Sequence, residues 1–236
     1  MFKNKKVVVT GGAGFIGTHI ANKLIEEGAE VHIIDNLAGG KAEKVNKKAI
    51  LHNKDIRKLK EIEPIFEGVT YVFHLAALPR VQYSIDNPVD TFEVNVSGML
   101  NVLDAARRAK VTRVVYSASS SAYGDQEKMP LVEDMPAHPK SPYGLHKYEG
   151  ELWCRLYSEL YGLSTVSLRY FNVYGPGIDP SGAYPLVIAL FLKQRSEGKS
   201  LTITGDGLQT RDFTHVRDVV NANLLAATGE KVGKGE

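Results

Sequence analysis

VVVTGGAGFIG, residues 7–17, sets glycines at 11, 12, 14 and 17 between an apolar run and a segment with helical spacing. The stretch fits GxGxxG counted from Gly12 and GxxGxxG counted from Gly11. Glycine suits such a turn because the backbone must reverse tightly, admit a pyrophosphate and let the next helix pack on the strand. The helix N-terminus then presents N–H groups and partial positive charge to the phosphates. Asp35 ends the next apolar run, near the ~20-residue spacing at which a carboxylate meets the ribose hydroxyls of a dinucleotide. A carboxylate there repels a 2′-phosphate, which favours NAD over NADP.

On either side of this loop, apolar runs alternate with helical patterns. KKVVVT, EVHIID, AILHNKD, YVFHLAA, RVVYSAS and STVSLRY are short, rich in Val, Ile and Tyr, and mostly continuous, as strands buried on both faces are. Between them lie GFIGTHIANKLIEEG, IRKLKEIEPIFEG and TFEVNVSGMLNVLDAARRAK, whose apolar residues recur at three and four. The alternation predicts an α/β fold, a doubly wound parallel sheet of Rossmann type, over residues 1–173. From about residue 174 the pattern changes. Turn-rich YGPGIDPSG precedes a helix (YPLVIALFLKQRSEG), a short strand (LTITG) and another helix from about His215. Residues 174–236 read as a partial substrate-binding lobe, interleaved with the last elements of the sheet.

Composition narrows the function classes. The 43% apolar and 24% charged content is that of an ordinary globular chain. A net charge of +2, spread along the chain, gives no electrostatic footprint for nucleic acid. No run approaches the ~20 apolar residues of a membrane span, and the basic start MFKNKK leads straight into a strand rather than a signal peptide. One cysteine, Cys154 in the helical stretch ELWCRLY, excludes an internal disulfide and a cysteine-based zinc cage, and reads as core. A cytoplasmic protein is expected. His74, His146 and His215 lack metal-ligand spacing and read as structural, so no metal is expected.

SPYGLHK, residues 141–147, carries the chemistry. Ser141 caps a helix and Pro142 fits its first position, which stacks Tyr143 and Lys147 one turn apart on one face. A free tyrosine titrates near 10, so a phenol acting as a base at pH 7 needs about three units of help, or ~4 kcal/mol. Lys147 and the helix N-terminus both favour the phenolate, and Tyr143 is expected to serve as a general base for a hydroxyl proton. In SASSSAYGD, at the carboxyl end of a strand, Ser119, Ser120 or Ser121 could hydrogen-bond the same substrate oxygen.

TGGAGFIG, Asp35, HLAA, the serine run and Tyr143-x-x-x-Lys147 together resemble the extended short-chain dehydrogenase/reductase family. RYFNVYGPG and GDGLQTRDFTHVRDV resemble its nucleotide-sugar branch, nearest the UDP-hexose 4-epimerases, and the resemblance covers essentially the whole chain. It implies NAD contacts from Gly11, Gly14, Phe15, Ile16, Gly17, Asp35, Asn36 and Leu37. Asp55 and Ile56 would flank the adenine, and Ala76, Ala77 and Leu78 would line the nicotinamide ribose. Asn95 would support the cofactor site, Tyr143 and Lys147 would also touch the cofactor, and Phe171 would lie at its edge. Ser119 matches the catalytic Ser/Thr position, with Ser120 and Ser121 as further substrate contacts. Asn172 and Arg211 would hold the substrate diphosphate.

The family's dehydratases carry an Asp-Glu pair directly after the catalytic threonine, and its UDP-glucuronate decarboxylases usually place a Glu where Ser121 stands. Here Ser120 and Ser121 occupy those positions. The resemblance therefore implies C4 epimerisation of UDP-glucose/galactose or their N-acetyl forms through a 4-keto sugar. The alternatives are another nucleotide-sugar oxidoreductase, such as a decarboxylase or reductase, or a non-catalytic NAD-binding module. LPRVQYS departs from galactose-type epimerases, and Arg80 within it is either a substrate contact or a solvated loop residue. Family members continue beyond GEKVGKGE, residues 229–236, with a second diphosphate-binding arginine and the residue gating the sugar's 2-substituent. The apolar stripe of residues 91–109 is either core or half of a homodimer's helix pair.

Overall fold

Six parallel strands carry the architecture: β1 Lys6–Thr10, β2 Glu30–Asp35, β3 Ile50–Asn53, β4 Val69–His74, β5 Arg113–Ser119 and β6 Thr165–Tyr170. The structure is a computed structural model describing residues 1–178 and 187–236. The sheet order is β3-β2-β1-β4-β5-β6. Chain order therefore reverses between β1 and β4, and their carboxyl ends open the crevice where ligands of doubly wound sheets bind. Among the described residues the α-helices are α1 Phe15–Glu26, α2 Leu59–Ile62, α3 Val81–Asp86, α4 Pro88–Phe92, α5 Gly98–Arg108, α6 Pro142–Tyr161, α7 Val187–Ser196 and α8 Val216–Thr228.

The continuous apolar runs have a direct explanation in packing. Within β1, Val8 faces a core shared with Met99, Leu103 and Cys154, whereas Val7 and Val9 face Ile20 and Leu24 of α1 and Val220 and Ala227 of α8. Both faces of each central strand are covered, so alternation with polar residues is lost. α6 ends at Gly162, whose φ of +68° is the left-handed cap that glycine adopts without steric cost.

Several expectations change. LTITG forms no strand: residues 201–204 lie in no regular element, with Leu201 and Ile203 49% and 67% exposed. An isolated extended segment has no ladder to satisfy its backbone groups. The second sheet is instead a parallel pair, β7 Val173–Tyr174 with β8 Thr214–His215. IRKLKEIEPIFEG makes only the single turn of α2 before a 3₁₀ turn begins at Glu63, with Pro64 in its first turn. The second half of LPRVQYS, from Val81, enters a helix, α3, with Arg80 just before it in extended backbone as the N-cap. The helix expected from TFEVNVSGMLNVLDAARRAK starts earlier, at Pro88, passes through a π-helical turn at Glu93–Ser97 and ends at Arg108. The start of YPLVIALFLKQRSEG and the end of YGPGIDPSG lie outside the described residues; the rest of the former is α7. No helix of the described residues is long and apolar enough to cross a membrane.

Candidate active site

The glycine turn closes on itself and leaves one side open. Gly11 has φ +70° and a Cβ there would sit 2.7 Å from the Ala76 nitrogen; a Cβ on Gly17 would sit 2.2 Å from the Gly11 oxygen. At Gly14 it would meet only the Gly11 oxygen, at 3.2 Å. Gly14 is the N-cap of α1 and no side chain caps the helix, so its first-turn N–H groups, beginning at Phe15 and Ile16, are available to an anion. The side chains of Phe15 and Ile16 pack away, against Val173, Val216 and Val219.

Asp35, 8% exposed, accepts from the Ala13 N–H at 3.0 Å and the Leu37 N–H at 2.8 Å. A carboxylate has about four lone-pair sites, so two remain for a ribose diol. Asn36 donates to Asp55 at 3.2 Å, and Arg57 grips Asp55 in a fork as short as 2.7 Å, holding its carboxyl down at about 2. Ile56 beside it is buried. After β4, the Thr10 hydroxyl accepts from the N–H groups of Leu75 and Ala76, both at 3.2 Å. Asn95 clamps Leu78 from both sides, accepting its N–H at 2.7 Å and donating to its oxygen at 3.1 Å. That reach comes from the π-helical turn carrying Asn95, a distortion frequent at functional sites. An open glycine turn at a helix N-terminus and a carboxylate with spare acceptor sites fit the diphosphate and ribose of a dinucleotide.

Ser119, Tyr143 and Lys147 meet at the carboxyl end of β5. Ser141 caps α6 by accepting the Gly144 N–H at 3.1 Å, with Pro142 at the first helical position, as the sequence predicts. A second hydroxyl completes that end: buried Ser84 of α3 accepts the N–H of Tyr143 itself at 3.0 Å. The Ser119 hydroxyl lies near the Tyr143 phenol and favours its ionised form. Lys147, 5% exposed, donates to the Ser117 carbonyl at 2.7 Å, and its Nζ lies 4.9 Å from the centroid of the Tyr116 ring. Burial lowers Lys147 to about 8, against the pull of Glu151 one turn on. The expected depression of Tyr143 is not found. Burial raises the phenol, only the neighbouring Ser119 hydroxyl opposes it, and Lys147 gives its short bond to a backbone carbonyl.

The other predicted residues scatter. Ser120 and Ser121 occupy a single 3₁₀ turn, with the Ser121 N–H donating to Ser119 at 3.2 Å. Phe171 packs on Tyr123, ring centroids 6.1 Å apart. Asn172 donates to the Asp212 oxygen at 2.8 Å, which brings it beside Arg211. Arg211 itself is exposed and bonds the Thr210 oxygen at 2.7 Å. Arg80 is exposed at the start of α3, and neither arginine hydrogen-bonds Ser119, Tyr143 or Lys147 among the described residues. His74 bonds the Thr10 hydroxyl at 2.7 Å, His215 caps α8, and Cys154 is fully buried. A cleft of about 1020 Å³ borders β6 between Tyr123, Glu151, Arg169, Phe171 and α8, but does not reach the glycine turn.

Sequence reasoning missed Ser84, Tyr116 and Gly150. Gly150 left a signal: glycine inside a helix costs about 1 kcal/mol against alanine, which points to a close contact. Its Cβ would lie 2.4 Å from the Tyr116 hydroxyl.

A family model described as the NAD dependent epimerase/dehydratase family matches residues 7–236. A putative UDP-glucose 4-epimerase of Methanocaldococcus jannaschii is 45% identical over 222 residues, 93% of this chain and 72% of the relative. The UDP-N-acetylglucosamine 4-epimerase of Methanobrevibacter ruminantium, solved with UDP-N-acetylmuramic acid, superposes with a TM-score of 0.94 at 40% identity over 98% of this chain and 75% of its own. The Thermotoga maritima UDP-glucose 4-epimerase, solved with UDP-glucose, gives 0.90 at 41% identity over 94% and 72%. With a glycine turn, Asp35 and the Ser119/Tyr143/Lys147 cluster all within the matched residues, this chain belongs to the NAD-dependent epimerase/dehydratase family.

Proposed function

We propose that this chain interconverts UDP-hexoses at C4, of the glucose/galactose pair, their N-acetyl forms or both, through a transient 4-keto sugar. The observation that carries the reading is Ser119 beside the Tyr143 phenol, with Lys147 one helical turn on, followed by Ser120 and Ser121 with no carboxylate to drive elimination. Gly11, Gly14, Phe15, Ile16, Gly17, Asp35, Asn36 and Leu37 would hold NAD, which would supply hydride uptake and return. Asp55 and Ile56 would border its adenine, while Ala76–Leu78, braced by Asn95, and Phe171 would border its nicotinamide end.

Tyr143 takes the proton from the sugar 4-hydroxyl and later returns it, while Ser119 hydrogen-bonds the same oxygen. Near pH 7, Lys147 with its proton affinity near 8 is mostly an ammonium, and its charge favours the phenolate that burial alone disfavours. Arg80, Ser120, Ser121, Asn172 and Arg211 act as substrate contacts, the guanidinium of Arg211 suiting a diphosphate. Residues 1–173 serve as the cofactor unit and 174–236 as part of the substrate lobe. The enzyme works in the cytoplasm as a homodimer. Leu152, Leu156 and Leu160, exposed at four-residue spacing on α6, support pairing with a second copy.

The test is proton NMR of the anomeric signals after incubation with UDP-glucose, UDP-galactose and their N-acetyl forms. Interconversion of a C4 pair, lost in Tyr143→Phe, is expected. No conversion of any of the four removes the reading.

A further inference from the structure

We propose that Tyr116 is a positioning residue for Lys147, its ring face serving as a platform that keeps the buried ammonium charged and in place. The proposal rests on the reading that Lys147 serves the Tyr143 reaction. Tyr116 is 1% exposed, and Lys147 Nζ stands 4.9 Å from its centroid. Burial favours the neutral amine, and among the described residues its one short acceptor is the Ser117 carbonyl, at 2.7 Å. The negative face of an aromatic ring attracts a desolvated cation without needing a proton of its own.

The ring is held on three sides. The imidazole of His74 stacks on it at 5.7 Å and 20°. That histidine carries no charge to compete for the ring. The Thr10 oxygen already accepts the N–H groups of Leu75 and Ala76, so its single hydrogen goes to His74 Nδ1, which must be an acceptor. Gly150 lets α6 pass over the tyrosine edge, and the Tyr116 hydroxyl donates weakly to the Lys147 carbonyl at 3.4 Å. The other ionisable groups around the ring and the ammonium are Tyr143, Glu149, Glu151 and the Cys154 thiol, all on α6, and Glu151 is shared with Arg169 in a two-bond pair at 2.7 and 2.9 Å. The tyrosine hydroxyl is peripheral; the ring face acts.

The experiment follows Lys147 in the NAD-bound enzyme by nitrogen NMR of ¹⁵N-lysine across pH 6 to 11, alongside the pH dependence of turnover. Tyr116→Phe should titrate like the parent. Tyr116→Leu should move the Lys147 midpoint down by about one unit or more and carry the alkaline fall in kcat with it, with KM little changed. Fluorinated phenylalanines at 116 preserve shape, so folding is secured, and should lower the midpoint stepwise as the ring loses electron density. An unmoved midpoint in the leucine or fluorinated variants overturns the proposal. Absence of turnover in the parent would remove the functional reading alone, since the NMR midpoint is read independently.

Discussion

Replacing Lys147 by methionine should abolish turnover and yet stabilise the protein at neutral pH. Burial holds this ammonium at about 8 against an ordinary 10.5. A lysine with lowered proton affinity in the fold costs stability wherever the unfolded chain still binds the proton. The cost is complete below about 8 and vanishes as pH rises through 10.5. The gap corresponds to ~3 kcal/mol. Methionine fills similar volume without a charge, but leaves the Ser117 carbonyl without its 2.7 Å donor, a loss of ~1 kcal/mol. The net gain is ~2 kcal/mol, or about 5 °C in Tm for a chain of this size. Thermal unfolding of both proteins at pH 7 and pH 10.5, with matched nucleotide content, measures it. A variant that melts below the parent at pH 7, or whose advantage is as large at pH 10.5, refutes the reasoning.

Three further outcomes are expected. Ser84→Ala removes the acceptor of the half-buried Tyr143 N–H, costing ~1 kcal/mol by urea unfolding and lowering kcat more than it raises KM; unchanged kcat would show that Tyr143 needs no outside anchor. Gly17→Ala drives a methyl to within 2.2 Å of the Gly11 oxygen, so the protein should lose bound NAD, assayed in the supernatant after denaturation; full retention contradicts the phosphate-cradle assignment. Glu151→Gln leaves Arg169 unpaired at a site where both side chains are under a fifth exposed, costing ~3 kcal/mol. It also withdraws the anion that raises Lys147, so the alkaline fall in activity should begin at lower pH.

Local features were legible along the chain. The glycines at 11, 12, 14 and 17 answer a steric demand within one turn, and Ser141-Pro142 caps α6 within three residues. The strands of the central sheet announce themselves because burial on both faces leaves no polar alternation. LTITG carried the same strand chemistry, but Leu201 and Ile203 stand exposed with no neighbouring ladder, and strand formation is a property of pairs. Sequence by itself thus determined the doubly wound sheet, the phosphate turn and the Tyr143/Lys147 spacing, because the turn and the spacing rest on contacts a few residues apart and the sheet on a strand–helix alternation written along the chain. Tertiary structure alone decided what surrounds them. Ser84 reaches Tyr143 across 59 positions and Lys147 reaches Ser117 across 30. Burial, not charge, sets the direction in which the phenol moves. Desolvation is a sum over everything packed around a group, and no spacing rule along one chain contains it.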